Sequence, residues 1–224
     1  MKSRIVAACS VLIAGVTAGA QETHEYVDLG LESGTLWATC NVGADEPWKT
    51  GEYVAWGEVS KKADYTWGSY VYAEGAVNTM TKYCSAAKYG SKGFADDKTQ
   101  LEGTDDIATV RWGESWRMPT EQEYRELRDK CIWTWTDDYK QQGADGYIVR
   151  SRTNSNEIFL PAGGLMTEKE VRKETTGWYW SSTLYSAYAN DARGFFFRND
   201  TSYVHGHYRY QGQLVRAVRK GRTE

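Results

Sequence analysis

The chain of 224 residues carries 27 Lys and Arg against 30 Asp and Glu, a formal net charge of −3 at pH 7, with 41% hydrophobic and 25% charged residues. Its 22 glycines, 10 Trp, 16 Tyr and 5 Phe are spread along the whole length, which excludes a disordered polyelectrolyte, a collagen-like chain and a coiled coil. The only long apolar run covers 5–20, so no later segment can cross a bilayer as a helix.

Residues 1–20 read as a secretory signal: Lys2 and Arg4 form the charged start, 5–16 the apolar stretch, and Ala18-Gly19-Ala20 a cleavage site before Gln21. Val6-Ala7-Ala8-Cys9 has the look of a lipid-attachment sequence, but few residues precede Cys9 and most of the apolar run follows it, so simple secretion is the better reading. Removing that segment leaves 25 basic against 30 acidic residues, a balance that argues against nucleic acid as a partner. It also leaves Cys40, Cys84 and Cys131, an odd number without a CxxC pair. They form either one disulfide and a buried thiol or three small core residues, and their spacing does not choose the pair.

Strand patterns occupy 36–42 and 53–56, punctuated by Gly and Asn/Asp. A short helix follows at about 105–112, with Thr104 as N-cap, Asp105 and Asp106 favourable to its dipole, and Gly113 ending it. A second helix starts at Thr120, where Thr120 and Glu123 make a capping box after Pro119. Tyr124, Leu127 and Cys131 share its apolar face while Glu121, Arg125 and Lys130 face water, so it packs on a sheet. Further strands are expected at 147–151, 158–160, 178–182, 195–198, 202–207 and 214–218. Arg209, Arg216, Arg219, Lys220 and Arg222 alternate with apolar residues there, which predicts a solvated strand face. No linker divides 21–224 and the Trp-Gly pairs at 56, 67 and 112 have no constant spacing, so the expectation is one α+β domain of antiparallel strands with two helices in the middle of the chain.

Several separated blocks stand in a specific order: 26–31 (YVDLGL), 33–44 (SGTLWATCNVGA), 53–58 (YVAWGE), 116–120 (WRMPT), 158–163 (IFLPAG), 179–182 (YWSS), and the closing Arg209, Gly212 and 215–218 (VRAV). Over nearly all of 26–219 the chain resembles the Fibrobacter succinogenes major paralogous domain family. That resemblance implies a C-type-lectin-like fold related to formylglycine-generating enzymes and to the variable proteins of diversity-generating retroelements. It also implies a secreted, periplasmic or cell-surface bacterial protein, of a family common in gut-associated Bacteroidetes and usually without a known enzymatic activity.

In the retroelement variable proteins, the stretch between a Trp-Ser-Ser-like segment and a final Arg-Ala-Val-like strand displays the ligand-contacting residues, and 183–213 corresponds to it here. The resemblance thus implies ligand contacts from Tyr185, Tyr188, Asn190, Arg198, Asp200, Tyr203, His205, His207, Tyr208, Tyr210 and Gln213. Tyr offers wide contact area at low rotamer entropy, and the smaller polar groups adapt their hydrogen bonds. The ligand is a protein or a glycan. Actual diversification of this copy would be written in its codons.

The same residues offer little chemistry beyond binding. His205 and His207, two apart on a strand, share a face but have no third metal ligand by spacing. The acidic doublets at 96–97, 105–106 and 137–138 lack a calcium-loop framework, and the lectin signatures Glu-Pro-Asn, Gln-Pro-Asp and Trp-Asn-Asp are absent. No Cys follows Cys131, which removes formylglycine-generating chemistry. Trp37, Trp116 and Trp180 are expected in the core, whereas Trp133 and Trp135 share a face if their segment is extended. No catalytic residue, metal or cofactor is assigned. Two other function classes stay open: an exported acid/base or metal-assisted enzyme using carboxylates such as Glu157 and Asp191 or the His205/His207 pair, and a structural piece of a surface assembly.

Overall fold

Short runs of β-branched and aromatic residues cannot satisfy their own backbone, so the chain must pair segments far apart in sequence. The computed structural model describes residues 24–172 and 175–221; the expected signal segment with Cys9, and Arg222, lie outside them. Strand β1 (Tyr26–Asp28) pairs antiparallel with β2 (Thr35–Asn41). Helix α1 (Ile107–Trp112), strand β3 (Trp116–Arg117) and helix α2 (Glu121–Lys130) follow. Then come β4 (Cys131–Thr136), β5 (Gly146–Ser151) and β6 (Glu157–Pro161), a three-stranded meander.

A small hairpin of β7 (Leu165–Thr167) and β8 (Glu170–Arg172) leads to the second three-stranded sheet, β9 (Thr176–Leu184), β10 (Asp191–Arg198) and β11 (Thr201–Tyr208), with β10 in its middle. Finally β12 (Arg216–Lys220) inserts between β2 and β3, giving the order β1-β2-β12-β3. All strand pairs within these sheets are antiparallel, and the two helices lie in the middle of the chain, as an α+β class requires.

The α2 capping box forms as its sequence predicts: the Thr120 hydroxyl accepts from Glu123 N at 3.2 Å and Glu123 returns a carboxylate to Thr120 N at 2.8 Å. The helix stops one residue early, however. Cys131 opens β4 instead of extending the apolar face, because the Cys-Ile-Trp-Thr-Trp-Thr run pairs residue by residue with β5. Helix α1 is capped by Asp106, not Thr104; the Asp106 carboxylate accepts from Ala108 N, Thr109 N and Met118 N, and Thr104 lies in a 3₁₀ turn before it. The run 53–56 is no strand either: Val54 alone bridges to Gln213, and the chain from β2 to α1 consists of turns and short 3₁₀ segments.

Two principal cores result. One joins α2 to both three-stranded sheets, with Trp37, Tyr124, Leu127, Tyr179, Phe195 and Phe197 buried together and the Tyr124 and Phe195 rings stacked at 5.0 Å. Trp133 and Trp135 extend from β4 and pack on Phe197 at its edge. The other gathers Trp56, Trp112, Trp116, Met118 and Trp180. Trp37, Trp116 and Trp180 are all buried. Cys40, Cys84 and Cys131 carry free thiols, and burial pushes those of Cys84 and Cys131 up, the latter to about 11.

The terminal arginines are not a solvated face. Arg209 and Arg216 are fully buried, while Arg219 is half-buried and Lys220 exposed. Arg216 donates to Asn41 Oδ1, Ala38 O, Thr39 O and Phe159 O at 2.8–3.0 Å. Arg209 donates to the Tyr70 hydroxyl and to the carbonyls of Lys82, Tyr83 and Ala189 at 2.8–3.0 Å, with its guanidinium 4.8 Å from the Trp56 ring. A guanidinium fork suits this role because each of its donors finds a separate oxygen. Substituting Arg216 by Ala leaves four buried oxygens short of a donor, and substituting it by Lys cannot reach all four. Each is expected to lower the unfolding free energy by about 3 kcal/mol or more, read from the urea midpoint; an unchanged midpoint would contradict the role given to this side chain.

Candidate functional site

The late segment is displayed on the β9–β10–β11 sheet, and alternation along the strands sorts its side chains onto two faces, with one register shift against β9 between Ala192 and Gly194. Phe195 and Phe197 point into the first core. The register pairs Phe196 with Trp178 and Tyr203, Gly194 with Trp180 and His205, and Ala192 with His207, which brings the opposite face together. There Trp178 lies 4.6 Å from both Phe196 and His207, Phe196 4.9 Å from Tyr203, and the His205 and His207 rings 5.0 Å apart. Tyr203 and His205 are exposed and His207 is half-buried.

Tyr208, the last residue of β11, and Tyr210, just beyond it, form a second group. Their rings lie 22° from parallel with centroids 5.8 Å apart, and Trp67 meets them edge-on at 5.8 and 4.9 Å. A third group occupies the turn between β9 and β10. Tyr188 is 53% exposed and packs against Tyr185, which lies under the Arg193 guanidinium at 3.7 Å. Gly206 makes room for this: a Cβ there would sit 2.1 Å from the Tyr185 ring.

The remaining members are dispersed. Arg198 and Asp200 form an exposed ion pair of 2.8 Å at the β10–β11 turn. Since β11 extends about 23 Å at the usual rise per residue, that pair and Tyr208 stand at opposite ends of the surface. Asn190 and Gln213 lie inside, at 9% and 0% exposure. Gln213 pairs its backbone with Val54 and turns its side chain toward Gly194, where no Cβ stands in the way. Asn190 Oδ1, Asp191 Oδ1, His207 Nε2 and both amide atoms of Gln213 are buried without a hydrogen-bond partner.

Those environments shift two titrations. Burial holds the His207 imidazole far down, to about 3, with the nearby His205 acting in the same direction. Burial raises Asp191 to about 6, against a smaller opposing pull from His205. Although the two imidazoles share a face, among the described residues no three His, Cys, Asp or Glu side chains are placed to hold a metal ion. Glu157 is engaged by Arg150 on the meander while Asp191 opens β10 in the other sheet, so the carboxylates weighed for catalysis belong to different elements.

Clefts lie elsewhere on the surface. One of about 440 Å³ beside α2 is lined by Glu32, Glu123, Glu126, Asp129 and Lys130, but Glu123 is committed to Arg117 and Lys130 to Glu32. Another of about 470 Å³ lies between 64–66 and the β7–β8 hairpin. Trp67, next to that cleft, is one of several Trp residues that composition alone offers as stacking platforms; it is far from Tyr208 along the chain, and no spacing joins the two. Among the described residues no helix is long and apolar enough to cross a membrane, which says nothing of strands. Comparison with family models, curated proteins and solved structures finds no match.

The buried imidazole makes a pH prediction. A depressed folded-state value means that His207 contributes stability present above the unfolded value near 6.5 and lost as pH falls toward about 3. Replacing His207 by Gln is expected to flatten the stability profile between those limits, measured as thermal midpoints across pH; an acid limb of unchanged slope would show that His207 is not its source. Asp191 has the opposite sign, with stability present below about 3.8 and lost as pH rises through about 6.

Proposed function

We propose that this chain is a noncatalytic recognition protein of the C-type-lectin-like class, related to the Fibrobacter succinogenes major paralogous domain family and acting as a secreted, periplasmic or surface protein. It binds a protein or glycan through the late segment, 183–213. The observation that carries this reading is the concentration of exposed tyrosines there: Tyr188, Tyr203 and Tyr208 are 53%, 40% and 45% exposed, and each rests on a second aromatic ring that holds it in place. A side chain already ordered before binding loses little entropy on contact, which is what makes rigid tyrosines effective anchors.

The topology supports the lectin-like class in a coarser way. Its last strand returns to the sheet of the first two, with both helices between, and the late hairpin stands beside that closure. The dispersal of Glu157 and Asp191, and the commitment of the α2 cleft carboxylates to ion pairs, favour binding over acid/base catalysis.

Screening the purified protein against glycans and bacterial and host surface proteins, with and without EDTA, tests this directly. Tyr188→Ala, Tyr203→Ala and Tyr208→Ala are each expected to weaken a genuine partner about tenfold or more, the scale of a binding hot spot, with circular dichroism unchanged and EDTA without effect. A partner retained at full affinity by all three variants would remove this surface from consideration.

A further inference from the structure

Beside the Tyr208–Tyr210 row the fold builds a cleft whose walls are fixed by main-chain pairing. Tyr65 and Glu168 exchange both backbone hydrogen bonds, at 2.7 and 3.0 Å, and Met166 and Gly212 do the same at 2.9 Å. These two bridges clamp the β7–β8 hairpin to the 64–67 turn on one side and to the segment after β11 that carries Tyr210 on the other. The cleft measures about 470 Å³, within the range of small-molecule sites and preformed as such sites usually are.

Every residue lining it is polar or charged, with Asp64, Glu168 and Glu170 set against Lys169 and Arg172 around the Thr66 hydroxyl, and their aliphatic stems supply apolar surface between the polar groups. Among the described residues none of these five charged side chains takes part in an ion pair, unlike the α2 cleft, where Glu123 and Lys130 are already engaged. At the rim the lining gives way to aromatic surface. Trp67 directly follows Thr66, and Trp67, Tyr210 and Met166 pack on one cluster. Glu168 and Arg172 are close enough to act electrostatically on the Tyr210 hydroxyl. Trp67 set edge-on to two nearly parallel phenol rings makes a corner with an open platform.

A ligand suited to this place needs two kinds of surface at once. An apolar molecule would leave the cleft's charged groups desolvated and unpaired. A polyanion would meet three carboxylates, and a polycation two bases. A sugar ring meets both demands, because its hydroxyls each donate and accept and its C–H face lies flat on an aromatic ring. We propose that the cleft and the Trp67–Tyr208–Tyr210 corner together form a saccharide-binding subsite, an inference that rests on the late segment being a binding surface and extends it to residues outside 183–213. The carboxylates of Glu168 and Asp64 accept from ring hydroxyls, Arg172 and Lys169 donate, and the corner stacks a sugar face.

The test is a glycan array probed with the whole protein, followed by calorimetric titration of short oligosaccharides from the classes that score, among them cellulose, xylan, mannan and mucin fragments. Trp67→Ala is expected to weaken binding about tenfold or more and E168Q and R172Q several-fold each. Glu168 and Arg172 are exposed, so the latter two variants keep the comparison valid if loss of Trp67 disturbs the Tyr70 packing beneath it. Tyr203, on Phe196, serves as the independent control. Saccharide binding lost in Tyr203→Ala but unchanged in Trp67→Ala, E168Q and R172Q would overturn the subsite and leave the late surface standing. An array without a saccharide hit, alongside a protein partner that depends on Tyr203, would overturn the saccharide class alone. No partner of either kind would overturn both.

Discussion

Two buried arginines without carboxylate partners hold the architecture together. Taking a guanidinium out of water costs several kcal/mol unless its donors are met, and here they are met mainly by backbone carbonyls from remote segments. Arg216 draws β2 and β6 onto β12, which locks the end of the chain into the sheet begun at its start. Arg209 does the same for the irregular 42–106 stretch, collecting carbonyls at Lys82 and Tyr83 and the Tyr70 hydroxyl, with Trp56 beneath it. That stretch has almost no ladder hydrogen bonds of its own, so one side chain substitutes for a strand. The charge also explains why carbonyl dipoles suffice: hydrogen bonds to an ionised donor are about twice as strong as neutral ones.

The proposed binding surface depends on both anchors. Arg209 and Arg216 stand at the two ends of the 209–216 segment, and between them lie Tyr210, Gly212 and Gln213, which touch Trp67, Met166 and Val54 respectively. Fixing the segment at both ends keeps Tyr210 parallel to Tyr208 and holds the β7–β8 hairpin beside it. Rigid scaffold and exposed aromatic tip are the two requirements for recognition at low entropic cost. The buried polar atoms of His207, Asn190, Asp191 and Gln213 sit behind this surface and make its pH response a property of the scaffold.

Local chemistry in the sequence reached a good part of this. The capping box at Thr120 and Glu123 marked the start of α2, and the alternating runs at 147–151, 178–182 and 202–207 marked strands, because both signals come from neighbours a few residues apart. The same local logic failed where a distant partner outweighed it. Cys131 satisfied the helix period yet pairs with Ser151; 53–56 has strand composition but forms a single bridge, between Val54 and Gln213; and the cap of α1 passed to Asp106 because Met118 N supplied a third bond. Arg209 and Arg216 looked solvated because a charge next to apolar residues ordinarily is, and only the convergence of carbonyls from elsewhere could bury them.

By itself the sequence determined the class of the fold, α+β with antiparallel strands and two central helices, the burial of Trp37, Trp116 and Trp180, and the placement of tyrosines and histidines on a late hairpin. Those features follow from periodicity, capping and composition, which are written locally. Tertiary structure alone decided which face each late side chain takes, that Asn190 and Gln213 are inside, and that Trp67 meets Tyr208 and Tyr210. Those outcomes require strand register and buried-charge geometry, and both are set by pairs of residues whose separation along the chain carries no signal.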